Sequence, residues 1–282
     1  MQQMKGQPNL VTFQEFLSFP RQNGIGYDVF LRMELLTSLR DWTKKRGGQL
    51  PLDDILTLGV HMCNALILME RQHYIHRDIK PANIFIDERT GQYKLGDFGT
   101  ARVLSSEGNA VTITGTPNYM APEVHANRPP YDQTVDIYSL GVMLYRYLNG
   151  GLFPFATPDS PAADTALAIR DSGKWPVPRP ANADDRLSAI ILRCLAYNPG
   201  DRYPNAQELL HDLGMYRAEW RRAQMARQPG GQAVTGGQQG GYPGQGGGPV
   251  NQSTVTGQST VTGQQFHWDQ EGDSGESTSF QV

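Results

Sequence analysis

Two short polar motifs at a fixed separation constrain this chain more than any other feature of its sequence. The first, His76-Arg77-Asp78-Ile79-Lys80-Pro81-Ala82-Asn83, sets a carboxylate, an amine and an amide within six residues. Pro81 prevents the segment from continuing as helix, so the three polar groups sit on a loop able to surround one phosphate. The second, Asp97-Phe98-Gly99, begins nineteen residues beyond Asp78, and Ala121-Pro122-Glu123 begins twenty-four residues beyond Asp97. The series continues through Asp136-Ile-Tyr-Ser-Leu-Gly141 and Asp201-Arg202. A lone three-residue match is weak, but five in order at constrained spacing is not a product of chance.

The text around these motifs predicts a small strand region followed by a mostly helical body. Two β-rich runs, Leu10–Phe16 and Tyr27–Leu36, flank a Pro/Asn/Gly stretch from Pro20 to Gly26. Beyond Pro51, apolar residues recur at near-helical spacing over Leu52–Gln72, Thr134–Leu148, Leu187–Tyr197 and Ala206–Arg222. After Arg227 the composition shifts to Gly, Gln, Ser, Thr and Pro, with 14 of the chain's 31 glycines, which predicts a flexible tail without a core. The hexapeptide Ser-Thr-Val-Thr-Gly-Gln is written twice there, at Ser253–Gln258 and Ser259–Gln264.

Charge and cysteine usage exclude several classes. Net charge is −3, and the last four acids, Asp269, Glu271, Asp273 and Glu276, lie beyond the last basic residue, leaving the body nearly neutral. Binding to nucleic acid needs a concentrated basic face, which this distribution lacks. Cys63 and Cys194 show no metal-binding or redox spacing and read as buried apolar residues of a reducing compartment. No uninterrupted apolar run approaches the ~18 residues of a membrane span, and the first residues lack a signal-peptide layout, so a cytoplasmic location is expected.

The motif series resembles the eukaryotic-type serine/threonine protein kinases, and Arg32-Met-Glu-Leu-Leu36, Lys94-Leu-Gly-Asp-Phe-Gly99 and Leu148-Asn149-Gly150 are most similar to bacterial members. The resemblance covers Met1 to about Arg222. It implies an α+β, protein-kinase-like fold that is mainly the helical C-lobe. Residues 1–36 would form a remnant of the N-lobe sheet and the hinge, 37–227 the C-lobe, and 228–282 the tail. The implied activity is transfer of the γ-phosphoryl of ATP, with Mg2+, to Ser or Thr of protein substrates. A small-molecule phosphotransferase would not need the Gly115-Thr116 loop and the Ala-Pro-Glu segment that order a protein substrate.

The same resemblance assigns roles. Asp78 would orient the substrate hydroxyl and accept its proton, Lys80 would neutralise the transferred phosphoryl group, and Thr116 would bridge the two. Asn83 and Asp97 would hold magnesium, a hard cation suited to amide and carboxylate oxygens. Met33 would be the gatekeeper, with Glu34 and Leu36 offering backbone contacts to adenine. Arg77 beside the catalytic Asp implies an activation loop ordered by phosphorylation, with Thr112 the matching acceptor and Thr114, Ser105 and Ser106 its rivals. His76, Phe98 and Gly99 would be structural, Glu123 and Arg202 a buried ion pair, and Asp136 the anchor of the catalytic loop.

Three parts of the family pattern are not found in this chain: a Gly-rich loop over the phosphates, a strand Lys, and a helix Glu that pairs with it. Gly24-Ile-Gly26 is too short and follows the strand it would have to precede, while Met1–Val11 is similar to the end of the helix that carries the Glu. Two explanations compete. A start assigned at an internal methionine of a complete kinase is favoured, because every remaining catalytic-loop and metal position is intact; the alternative is a naturally truncated, non-catalytic, pseudokinase-type binding module. Either way the chain alone is expected to be weak or inactive. The repeated threonines Thr254, Thr256, Thr260 and Thr262 read as linker or as sites for a phosphothreonine-binding module.

Overall fold

The computed structural model describes residues 6–21, 25–98, 102–103, 116–173 and 176–227. An antiparallel hairpin comes first, with β1 spanning Phe13–Pro20 and β2 spanning Tyr27–Met33. Pro20 opposes Tyr27 at the turn end and Phe13 opposes Met33 at the other. The apolar pair Leu10-Val11, expected to open the first strand, belongs elsewhere. Val11 N–H donates to the Leu95 carbonyl and Leu95 N–H to the Asn9 carbonyl, both at 2.9 Å. That exchange buries Leu10 and Val11 against the helical body, whereas Phe16, Phe19, Tyr27 and Phe30 on the hairpin stay exposed. The second strand stops at Met33, three residues short of the expected Leu36, as the chain turns toward the body.

Beyond the hairpin, β3 (Thr37–Ser38), β5 (Ile84–Asp87) and β6 (Gln92–Leu95) form an antiparallel sheet in the order β3-β5-β6. A second small ladder pairs β4 (Tyr74–Ile75) with β7 (Arg102–Val103). Between and after them come α1 (Leu39–Lys44), α2 (Leu52–Arg71), α3 (Pro122–His125), α4 (Thr134–Leu148), α5 (Ala163–Asp171), α6 (Asp185–Cys194) and α7 (Ala206–Arg227).

Helix α2 forms where the sequence places apolar residues three and four apart: Ile55, Leu58, Met62, Ala65, Leu66 and Met69 are all buried. Asp53 and Asp54 in its first turn and Arg71 in its last complement the helix dipole. It is the one described helix long and apolar enough to cross a membrane, with a mean hydropathy of 1.4, but it packs against α4 and α7. Each fully buried Leu, Ile or Met on that stripe stabilises the fold by roughly 1.5–3 kcal/mol relative to exposure, which makes α2 the core of this body.

Two helix ends depart from the sequence reading for local reasons. Asp184 caps α6 by accepting from Leu187 N–H at 2.8 Å, so this helix starts earlier than its apolar stripe. Helix α7 runs to Arg227 because Arg221 donates to both oxygens of Asp53 on α2, at 2.6 and 2.7 Å, and fastens the last turns. Gly141 lets α4 approach α6 closely: a Cβ there would lie 2.6 Å from the Cys194 Cβ.

Candidate active site

The loop after β4 collects the residues of the first motif. Asp78 is buried, and its Oδ2 lies 3.1 Å from Lys80 Nζ and 2.7 Å from Asn83 Nδ2. Asn83 Nδ2 also donates to the Asp78 carbonyl at 2.8 Å, closing the loop on itself through the 3-10 turn that Pro81 starts. Both bonds use the amide nitrogen, so the Asn83 oxygen stays available as an acceptor.

Thr116, thirty-eight residues further on, completes the cluster. Its Oγ1 accepts from Lys80 Nζ at 2.8 Å, and its N–H points at Asp78 Oδ1 at 3.3 Å. Three residues from two segments, Lys80, Asn83 and Thr116, thus surround the Asp78 carboxylate. The segment carrying Thr116 is held from behind: Arg170 of α5, itself buried, donates to the Met120 carbonyl at 2.7 Å and to the Pro117 carbonyl at 3.2 Å, and Ser139 Oγ donates to the Tyr119 carbonyl at 2.9 Å. Neither Arg170 nor Ser139 stands out in the sequence, because each is a single polar residue on an ordinary helix.

The catalytic-type loop is strained and anchored. Arg77 has φ of 69°, in the left-handed region that L residues avoid. Such a conformation costs of order 1–3 kcal/mol. Asp136 of α4, buried, accepts His76 N–H at 2.7 Å and Arg77 N–H at 2.8 Å. Hydrogen bonds to a charged group contribute roughly 1.5–3 kcal/mol each, so this pair offsets the strain. Burial pushes the Asp136 carboxyl up, while His76, Arg77 and the two N–H donors pull it down, with burial the larger effect.

His76 Nε2 lies 2.8 Å from the Gly96 carbonyl, and its Nδ1 faces the Asp78 N–H at 3.4 Å, so the ring is held at both nitrogens. Its ring meets that of Phe98 edge-on at 5.5 Å, and Phe98 meets Phe13 at a tilt at 5.8 Å, a chain of ring contacts that ties the hairpin to the loop. Gly96 N–H donates to the Asn83 carbonyl at 2.9 Å, so the two motifs are joined by backbone. A side chain at Gly96 would meet Phe85 and Val11 at 2.8 Å, so the close approach of these segments requires glycine there. Asp97 follows with φ of 52° and an exposed side chain.

Around the hinge the structure adds a residue that the sequence reading missed. Glu34 N–H donates to the Thr12 carbonyl at 3.1 Å, and its carboxylate accepts from Thr12 N–H at 2.7 Å. Both carboxylate oxygens also lie 2.8 Å from Lys94 Nζ, which is nearly buried on β6, three residues before Asp97. A lysine in the apolar strand Gln92–Leu95 was the available signal. Met33 is 41% exposed and Leu36 half-buried.

Farther from the loop, Arg202 donates to both oxygens of Glu123 at 2.7 Å and has no exposed side-chain surface. Arg77 lies over the Tyr131 ring, 5.6 Å from its centre. Gly99, Thr112 and Thr114, with Ser105 and Ser106, lie outside the described residues, as does the tail with its repeated threonines.

The amide oxygen of Asn83 and the carboxylate of Asp97 suit Mg2+ bound mainly through nucleotide phosphates and water, which asks for only one or two protein oxygens. Among the described residues no group of three or more His, Cys, Asp and Glu gathers as a full metal cage.

Comparison with known proteins agrees with this geometry. Residues 1–213 match the protein kinase domain family. The serine/threonine-protein kinase PknB of Mycolicibacterium smegmatis is 41% identical over 155 residues, 54% of this chain and 24% of that protein. PknB of Mycobacterium tuberculosis is 38% identical over 180 residues, 62% of this chain and 28% of that protein. A probable serine/threonine-protein kinase of Clostridium perfringens, CPE1738, is 33% identical over 208 residues, 73% of this chain and 29% of that protein. The chain thus spans about a quarter of the length of these relatives. With the motif loop, the Thr116 bridge and the Glu123–Arg202 pair in one body, the chain belongs to the protein kinase domain family, as a bacterial-type member of its eukaryotic-like serine/threonine kinases.

Proposed function

We propose that this body performs the phosphoryl-transfer half of a serine/threonine protein kinase, and that the chain alone does so weakly or not at all. The observation that carries the reading is the Asp78 cluster, with Lys80 at 3.1 Å, Asn83 at 2.7 Å and the Thr116 N–H at 3.3 Å from its carboxylate oxygens. In the proposed reaction the substrate hydroxyl oxygen forms a bond to the γ-phosphorus, the bond from that phosphorus to the bridging oxygen breaks, and ADP leaves. Asp78 orients the hydroxyl and takes its proton, Lys80 faces the charge on the moving phosphoryl group, and Asn83 and Asp97 offer oxygens to Mg2+. Phosphoryl transfer depends chiefly on positioning and charge stabilisation, which is what a loop pinned by Asp136 supplies. Glu34 and Leu36 offer backbone groups to adenine, and Met33 lines its entrance.

Weakness of the isolated chain follows from what grips the triphosphate. The described sheet above the cleft is the β1–β2 hairpin, whose Phe16, Phe19, Tyr27 and Phe30 are exposed, and the chain carries no glycine loop or strand Lys over the phosphates. The body belongs in the cytoplasm, where ATP and protein substrates are present, and the threonines of the repeated hexapeptide are candidate acceptors for a phosphothreonine-binding module.

Titration with ATP, with and without Mg2+, and phosphate transfer to a mixed Ser/Thr peptide library test the reading. Expected are weak, Mg2+-dependent nucleotide binding whose metal dependence is lost in Asp97→Asn, and a trace of transfer abolished in Asp78→Asn. Transfer that survives Asp78→Asn, or binding indifferent to Mg2+, overturns it.

A further inference from the structure

Thr116 leads into a single 3-10 turn, Pro117–Tyr119, and the carbonyls of this turn and of Met120 are taken by side chains of distant helices. Ser139 of α4 holds the Tyr119 carbonyl, and Arg170 of α5 holds those of Pro117 and Met120. On the other side, Thr116 N–H faces Asp78 Oδ1 at 3.3 Å, just beyond the about 2.7–3.2 Å usual for an N–H···O bond. A small displacement of the turn is therefore enough to lose that contact. Whatever fixes Arg170 bears on Asp78.

Arg170 is 4% exposed, and a guanidinium so withdrawn from water needs a counter-charge. Its neighbour in sequence supplies one. Arg170 Nε donates to Asp171 Oδ1 at 3.0 Å, and Nη2 lies 2.9 Å from the same oxygen. Because the guanidinium is planar, with its donors in a fixed fork, holding the Nε–Nη2 edge turns Nη1 the other way, onto the two carbonyls. The second carboxylate oxygen is taken as well: Asp171 Oδ2 lies 3.1 Å from Nδ1 of His125, the last residue of α3. Asp171 thus joins α5, α3 and the Thr116 turn.

Neither helix formation nor core packing accounts for an acid at this position. Asp171 is the last residue of α5, where a carboxylate meets the negative end of the helix dipole and is disfavoured. With 36% of its side chain exposed, it adds little to the core. Its contacts with the fork of Arg170 and with His125 are what the position offers.

We propose that Asp171 is a positioning residue for phosphoryl transfer: by orienting Arg170 it sets the turn that brings Thr116 to Asp78 and Lys80. His125 steadies it through the second oxygen. The part Asp171 plays in the reaction rests on the phosphoryl-transfer reading, whereas its hold on Thr116 is read from Thr116 itself.

The full chain, labelled with nitrogen-15 threonine, gives a Thr116 amide signal assigned through Thr116→Ser. Asp78→Asn, which removes the charge facing that N–H, sets the reference as an upfield shift. Asp171→Asn is expected to move the signal in the same direction and to speed its exchange with solvent about threefold or more. Asp171→Glu, which keeps the charge, should return it part of the way. Asp171→Asn added to Asp78→Asn should move it little further, since both break one contact. Arg221→Met breaks an ion pair of similar exposure between α2 and α7, controls for lost stability, and should leave the signal in place. His125→Ala, with a smaller shift in the same direction, decides the matter if Asp171→Asn fails to fold. Transfer to the Ser/Thr peptide library should fall about tenfold or more in Asp171→Asn. An unmoved Thr116 signal in Asp171→Asn and His125→Ala, an equal movement in Arg221→Met, or wild-type transfer by Asp171→Asn overturns the proposal. Transfer that survives Asp78→Asn instead overturns the phosphoryl-transfer reading, and with it the part of Asp171 in the reaction, while the Thr116 signal still decides the hold.

Discussion

Replacing Arg202 by methionine keeps the apolar volume of the side chain and removes its charge, and the structure sets how much that should cost. The guanidinium makes five hydrogen bonds: two to Glu123 at 2.7 Å, and one each to the carbonyls of Ala196 at 2.8 Å, Tyr197 at 3.1 Å and Thr134 at 3.2 Å. Its side chain has no exposed surface and that of Glu123 only 12%. Breaking a buried pair by removing one partner costs about 3–5 kcal/mol, because a charge is left buried and uncompensated. Against a total stability of about 5–15 kcal/mol for a domain, a loss of about 4 kcal/mol shifts the folding equilibrium roughly a thousandfold. Urea denaturation followed by tryptophan fluorescence reads this directly. The double variant Glu123→Gln, Arg202→Met separates stranded charge from lost packing, since removing both charges should recover about 1–3 kcal/mol relative to Arg202→Met. If Arg202→Met lies within about 1 kcal/mol of wild type, or if the two substitutions add without coupling, the pair is not the buried tie described above.

Two further outcomes follow from the same structure. Gly141→Ala should cost about 1–3 kcal/mol, since its Cβ would sit 2.6 Å from the Cys194 Cβ and no rotamer moves either atom; an unchanged thermal midpoint would show that α4 and α6 separate freely. For Glu34, burial pushes the carboxyl up, but the Lys94 ammonium and the Thr12 N–H outweigh it and hold the group below its ordinary 4.5. A group depressed in the folded state contributes stability that is present above its unfolded value and lost as pH falls through its folded one. The stability advantage of the wild type over Glu34→Gln should therefore be full above 4.5 and shrink in more acidic solution; an advantage independent of pH refutes the pairing with Lys94.

Much of the helical body is legible in the sequence because helical periodicity belongs to contiguous residues. Helix α4 matches the expected Thr134–Leu148 at both ends, and α2 ends within one residue of its apolar stripe. Where the reading slipped, a distant partner had intervened. Leu10 and Val11 carry a strand-like pattern but are claimed by Leu95, which moves the first strand to Phe13–Pro20. Helix α7 outlasts its pattern because Asp53 holds Arg221. The short strands β3, β4 and β7 have two residues each, too few for any alternation to show.

For the candidate site, the motifs give residue types and the order in which they occur, and Pro81 fixes that Asp78, Lys80 and Asn83 share a loop. What they meet is decided over long separations: Thr116 thirty-eight residues from Asp78, Asp136 sixty from His76, Lys94 sixty from Glu34, Arg202 seventy-nine from Glu123. Chain propensity carries no information across such intervals. Burial does, because a charge withdrawn from water must be paired or hydrogen-bonded, and only the packed helices determine which donor arrives beside which carboxylate.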